Sequence, residues 1–77
     1  DDKVIAMGEI GLAGEGRAVG GIEQRVKEAV RLGFDTIIIP ARNYQRSKQR
    51  LDQIKGNAKI VPVKSIAEAL RAFANNQ

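Results

Sequence analysis

Apolar residues fill nearly every position from Val4 to Leu12, interrupted only by Gly8, Glu9 and Gly11. Such a run predicts a strand covered on both faces. Ala13-Gly14-Glu15-Gly16 predicts a turn, because glycine enters the positive-φ region cheaply. Arg17-Ala18-Val19 then reads as a short return strand, and the two strands make a hairpin. At Gly20-Gly21 the pattern breaks and its period changes. Ile22, Val26, Ala29 and Val30 follow i, i+4, i+7, i+8 spacing, a helical stripe with Arg25, Lys27 and Arg31 off it and Gly33 as its end.

Thr36-Ile37-Ile38-Ile39 is the clearest buried strand, since β-branched side chains pack well on a pleated surface, and Pro40 ends it. Asn43 is placed to cap a second helix through its side-chain oxygen. That helix has only Tyr44, Leu51 and Ile54 as large apolar residues and stops at Gly56-Asn57. Lys59–Val63 forms another short strand; Pro62 cannot donate to a ladder and marks a sheet edge or strand end. Ser65-Ile66-Ala67-Glu68 has the capping-box pattern and opens a third helix with Ile66, Leu70 and Phe73 facing inward; the last residues, 75–77, fray. The pattern therefore predicts an α/β fold: a β-hairpin followed by α-β-α-β-α, with a right-handed crossover from Thr36 to Val63 joining a parallel strand pair.

Length and composition narrow the chemistry. A chain of 77 residues holds at most one domain. At this size folding buries only about 60% of the unfolded surface, so the core is small. Cys and His are both absent, which excludes disulfides, the usual zinc ligand sets, thiol nucleophiles and imidazole bases. No apolar run approaches the roughly 20 residues that span a bilayer, and Asp1-Asp2-Lys3 does not open a signal peptide. A cytoplasmic protein without membrane contact is expected. The net charge of +4 is unevenly spread. Residues 25–64 carry all but three of the basic residues (Lys3, Arg17 and Arg71 lie outside) against Glu28, Asp35 and Asp52. A basic middle of this kind suits a solvated helix surface or a face for nucleic acid.

Few motifs carry chemistry. Gly14-Glu15-Gly16-Arg17-Ala18-Val19-Gly20 has its third glycine one place late for a dinucleotide loop and lacks the Gly-Lys-Ser/Thr end of a P-loop. The only serines are Ser47, in a basic helix, and Ser65, a cap. Lys27, Lys48, Lys55, Lys59 and Lys64 look exposed by periodicity, and an exposed ammonium is a poor base. No carboxylate pair has the spacing for acid–base work. The stretch Arg42 to Arg50 holds four cations (Arg42, Arg46, Lys48 and Arg50), no acid and one aromatic, Tyr44. The cations suit phosphates; Tyr44 either stacks on a base or anchors the helix to the sheet.

Four segments, in this order and spacing, resemble the RadA/Sms family of bacterial DNA repair proteins. They are Gly8-Glu9-Ile10-Gly11-Leu12-Ala13-Gly14-Glu15; Ile22-Glu23-Gln24-Arg25 with Glu28-Ala29 and Leu32-Gly33-Phe34; Ile38-Ile39-Pro40-Ala41-Arg42-Asn43; and Ile66-Ala67-Glu68-Ala69-Leu70-Arg71. The resemblance implies that residues 1–77 are the C-terminal part of a Lon-like domain. In that family this domain follows a zinc-binding module and a RecA-like ATPase. Hexameric rings, ATP-dependent branch migration in recombination, single-stranded or branched DNA and a RecA-type recombinase partner are implied with it. ATP, magnesium and zinc belong, on this reading, to the rest of the parent protein, and no cofactor is expected in this chain. The Lon-like domain of the family is about twice this length, so the resemblance implies its C-terminal half, and an uncovered sheet edge would favour self-association.

The same layout resembles the proteolytic domain of Lon, which works through a Ser–Lys dyad. The lysine there follows a Gly-Gly-Leu at the start of the helix matching Ile22–Leu32. Here the sequence reads Gly20-Gly21-Ile22-Glu23, so the resemblance puts Glu23 at the lysine's place. The Lon serine lies upstream of the matched segments. The expectation is a non-enzymatic scaffold that contacts DNA and supports oligomerisation, with Arg42, Arg46, Lys48 and Arg50 as its DNA-binding candidates. The alternative is a C-terminal fragment of a Lon-type Ser–Lys ATP-dependent protease.

Overall fold

The structure is a computed structural model that describes residues 3–10, 16–17 and 21–75. Three strands, β1 (Val4–Ala6), β4 (Thr36–Pro40) and β5 (Lys59–Val63), form a parallel sheet in the order β1-β4-β5. Two further strands, β2 (Glu9–Ile10) and β3 (Gly16–Arg17), pair antiparallel as a small separate ribbon. Helix α1 (Ile22–Arg31) precedes β4, α2 (Ala41–Ile54) joins β4 to β5, and α3 (Ile66–Asn75) follows β5.

The parallel pair expected from the sequence is β4–β5, and β1 extends it to three strands. The single long first strand is corrected. Gly8 adopts φ 147°, and the chain divides there into β1, which joins the main sheet, and β2, which makes the hairpin. Only glycine is at ease in that conformation. Residues 11–15 and 18–20, which hold the predicted turn and most of the return strand, lie outside the described residues, as do residues 76–77.

The core sits on one sheet face. Ile37 and Ile39 of β4 pack with Ile22, Val26 and Ala29 of α1, Leu51 of α2 and Ala58, while Ile5 and Ile60 complete the row at half burial. Ile5, Ile37 and Ile60 share one register across the sheet, so their side chains point the same way. The helical stripe read from the sequence is thus the buried face of α1. Its C-cap is Leu32, and Gly33 follows at φ 88°, the left-handed position that closes a helix. Lys3 reaches across to this end: its Nζ donates to the Leu32 carbonyl at 2.8 Å and lies 4.9 Å from the centre of the Phe34 ring.

Three further expectations are corrected. Asn43 is not the cap of α2; it lies inside the first turn and is buried, and the capping position is Pro40, which has no side-chain cap to offer. The chain turns directly from β4 into α2, leaving no loop residue for Asn43 to occupy. Lys55 is half-buried instead of exposed, its Nζ donating to the Ala58 carbonyl at 3.4 Å. In α3, Ile66 and Leu70 do not face inward: they are 40% and 62% exposed, and only Phe73 of the three is half-buried. These larger apolar side chains of α3 border a groove of about 240 Å³ lined by Ala6, Pro40, Val63, Ile66, Leu70 and Phe73.

Candidate functional site

The four candidate cations stand on α2, which is not one straight helix. Ser47 has non-helical dihedrals (φ −124°, ψ 23°), which divide α2 between Arg46 and Lys48. Helical i, i+4 spacing therefore does not align Arg46 with Arg50 on a common face.

Each cation has its own surroundings. Arg42 and Arg46 are exposed, and neither has an ion-pair partner among the described residues. Lys48 lies 3.4 Å from Asp52 Oδ2 and 5.8 Å from the centre of the Tyr44 ring. Arg50 is turned back toward α1, where its Nε donates to Glu23 Oε1 at 2.9 Å. Two of the four cations are thus engaged within the fold and two are open to a ligand.

Tyr44 is half-buried against the core cluster, and its hydroxyl donates to Asp52 Oδ1 at 3.0 Å. That bond holds the phenol pKa above its ordinary value, with partial burial adding in the same direction. The aromatic anchors the helix, and its ring edge is tied across the Ser47 break. Asp52 was not singled out from the sequence. Its spacing from Lys48 (i, i+4) and Tyr44 (i, i+8) was the available signal.

Glu23 sits in the first turn of α1, where the positive end of the helix dipole favours a carboxylate. Gly21 occupies the N-cap at φ 69° and brings no side-chain acceptor, so the acid is the only favourable charge at this end. Its side chain is 38% exposed and that of Arg50 is 59% exposed, so the pair joins α1 to α2 at the surface. Among the described residues no lysine bonds a serine hydroxyl: Ser65 accepts from the Glu68 N–H at 3.2 Å as a helix cap, and Ser47 sits at the α2 break. No group of three acidic side chains gathers to hold a metal among them either.

A parallel α/β sheet with its helices in this order defines the class. The chain belongs to the family of the Lon protease (S16) C-terminal proteolytic domain, whose sequence profile matches residues 1–75. Among individual relatives, the DNA repair protein RadA of Bacillus subtilis is 49% identical over 65 residues, covering 84% of this chain and 13% of that protein. RadA of Listeria monocytogenes is 46% identical over 65 residues, again 84% of this chain and 13% of the relative. The Lon protease of Helicobacter pylori is 36% identical over 69 residues, 88% of this chain and 8% of that protein. The chain therefore spans a small fraction of the relatives it matches, and it resembles a Lon-like C-terminal domain of the RadA type. No helix among the described residues is long and apolar enough to cross a membrane.

Proposed function

We propose that this chain is a non-catalytic scaffold of a RadA/Sms-type branch-migration protein of the cytoplasm, contacting single-stranded or branched DNA and supporting self-association of its parent. ATP, magnesium and zinc serve the remainder of that protein, and a RecA-type recombinase is a partner of the parent. The observation that carries the reading is the Glu23–Arg50 pair. Where the Lon resemblance calls for an amine able to lose its proton and activate a serine, this chain has a carboxylate held by a guanidinium. A carboxylate so engaged has no means of doing that work. The DNA contact draws support from two exposed cations, Arg46 beside the Ser47 break of α2 and Arg42 in the first turn at its N-terminal end. Backbone N–H groups at that end also attract phosphate.

The identity to Lon proteases supports a second reading, a piece of a Ser–Lys protease. The two separate in one set of assays on the full-length protein. On the proposed reading it cleaves no peptide, Glu23→Lys creates no peptidase, and neutralising Arg42, Arg46, Lys48 and Arg50 together weakens DNA binding. Peptide cleavage by the unaltered protein would establish the protease reading instead, and DNA binding untouched by the four neutralisations would remove the patch.

A further inference from the structure

Charge along α2 divides where its backbone does. Ser47 breaks the helix, and the two cations before it, Arg42 and Arg46, are exposed with no ion-pair partner among the described residues. The two cations after it are each met by an acid. Glu23 Oε1 accepts from Arg50 Nε at 2.9 Å, and Asp52 Oδ2 lies 3.4 Å from Lys48 Nζ. The acids are the more firmly placed members. Asp52 uses its other oxygen to accept the Tyr44 hydroxyl at 3.0 Å, and Glu23 belongs to the first turn of α1. The side chains of Lys48 and Arg50 are 65% and 59% exposed, against 36% and 38% for Asp52 and Glu23. Both cations thus stay within reach of a phosphate, but each has a carboxylate beside it that competes for the same charge.

We propose that Glu23 and Asp52 are internal competitors of nucleic-acid phosphate, which hold Arg50 and Lys48 within the fold and confine the backbone of a bound strand to Arg42 and Arg46. This rests on the DNA reading given above and deepens it by assigning the two acids a part in binding. For Arg50 or Lys48 to meet a phosphate, its carboxylate must be left behind, and that carboxylate then repels the same phosphate. An exposed ion pair biases its own equilibrium by no more than about fivefold, so the restraint is graded. It keeps the grip on a strand below what four free cations would give. A contact that must release and re-form as a strand moves past is served by that weakness. Glu23, at the place where the Lon resemblance has a lysine, thereby acts in binding and not in catalysis.

Fluorescence anisotropy of a labelled oligothymidylate with the full-length protein, over a series of salt concentrations, tests this. Glu23→Gln and Asp52→Asn are close in shape to the originals, and asparagine keeps an oxygen for the Tyr44 hydroxyl. Each should tighten binding about two- to fivefold at low salt. Each should also steepen the slope of log K against log salt by up to about 0.7, and the two together by up to about 1.4. Adding Arg50→Gln to Glu23→Gln should abolish the gain, because the released guanidinium is the group that grips phosphate. Glu28→Gln is the control: it removes a negative charge from another exposed pair, Glu28–Arg31, on the flank of α1 beside residues 5–8 and about 140° round the helix from Glu23. It should leave the slope unchanged. A gain from Glu28→Gln equal to that from Glu23→Gln would reduce the effect to net charge and overturn the proposal. So would an unchanged slope in the Glu23→Gln, Asp52→Asn double variant, where Arg42→Ala with Arg46→Ala does weaken binding. If that arginine variant leaves binding unchanged too, the DNA reading itself fails and the proposal falls with it.

Discussion

Tyr44 donates its phenolic proton to Asp52 and carries the Lys48 ammonium near its ring face, so three residues at i, i+4 and i+8 share one cluster across the Ser47 break. The hydrogen bond is made by the protonated phenol, which is why the folded pKa lies above the ordinary one. A phenol shifted upward favours the folded state at all pH below its unfolded pKa, and that contribution is lost as pH rises through the folded value. Because the chain has one tyrosine, phenolate absorbance in an alkaline titration reads this group alone. Its midpoint should lie above that of the unfolded chain, and Asp52→Ala should bring it down; a midpoint the same in both would mean that the bond is absent in solution. Glu28 behaves oppositely. Its bonds from Arg31 lower the carboxyl pKa, so whatever the pair contributes is present above the unfolded carboxylate pKa and is lost as pH falls through the folded value. Both side chains are more than half exposed, which keeps that contribution small.

Among the elements, α1 and α3 show where pattern suffices and where it does not. The stripe of Ile22, Val26 and Ala29 was legible because one helix face meets one sheet face, and periodicity alone encodes that relation. The apolar spacing of Ile66, Leu70 and Phe73 is just as regular, yet it does not say which side of the stripe meets the sheet. In the fold Ile66 and Leu70 stay 40% and 62% exposed, while Phe73 is half-buried. Similarly, the apolar run from Val4 does not say whether Gly8 sits within one strand or separates two, which is settled by backbone direction. The break within α2 had no sequence signal at all, since serine is tolerated in helices. Helix α3 buries no residue fully, so its terminus depends on the Ser65 cap more than α1 depends on its own. Ser65→Ala should cost about 1 kcal/mol. The loss should be local, with amide exchange accelerating along α3 while the β4 amides keep their protection; equal acceleration in β4 would mean that α3 and the sheet open as one unit.

Over the whole molecule, charge is distributed less evenly than the net +4 suggests, and the ion pairs redistribute it again. The basic stretch of α2 read from the sequence as four equivalent cations. In the fold, Arg50 is spent on Glu23 and Lys48 on Asp52, whereas Arg42 and Arg46 keep their full charge toward solvent. That difference was partly legible: the i, i+4 spacing of Lys48 and Asp52 is visible in the chain, but the tie from Arg50 to Glu23 joins residues far apart in sequence and needs the α1–α2 packing to bring them together. It makes a quantitative prediction for DNA binding by the full-length protein. Each phosphate contact on a single strand contributes about −0.7 to the slope of log K against log salt, through counterion release. Arg42→Ala with Arg46→Ala should therefore flatten the slope by about 1.4 if each arginine meets one phosphate. Lys48→Ala with Arg50→Ala should flatten it less, because those cations are already partly neutralised and removing them also frees Asp52 and Glu23 to repel the strand. The second pair should instead weaken binding at low salt with little change in slope. Equal slopes for the two double variants would show that the ion pairs dissolve when DNA arrives, and that the four cations act as a single uniform patch.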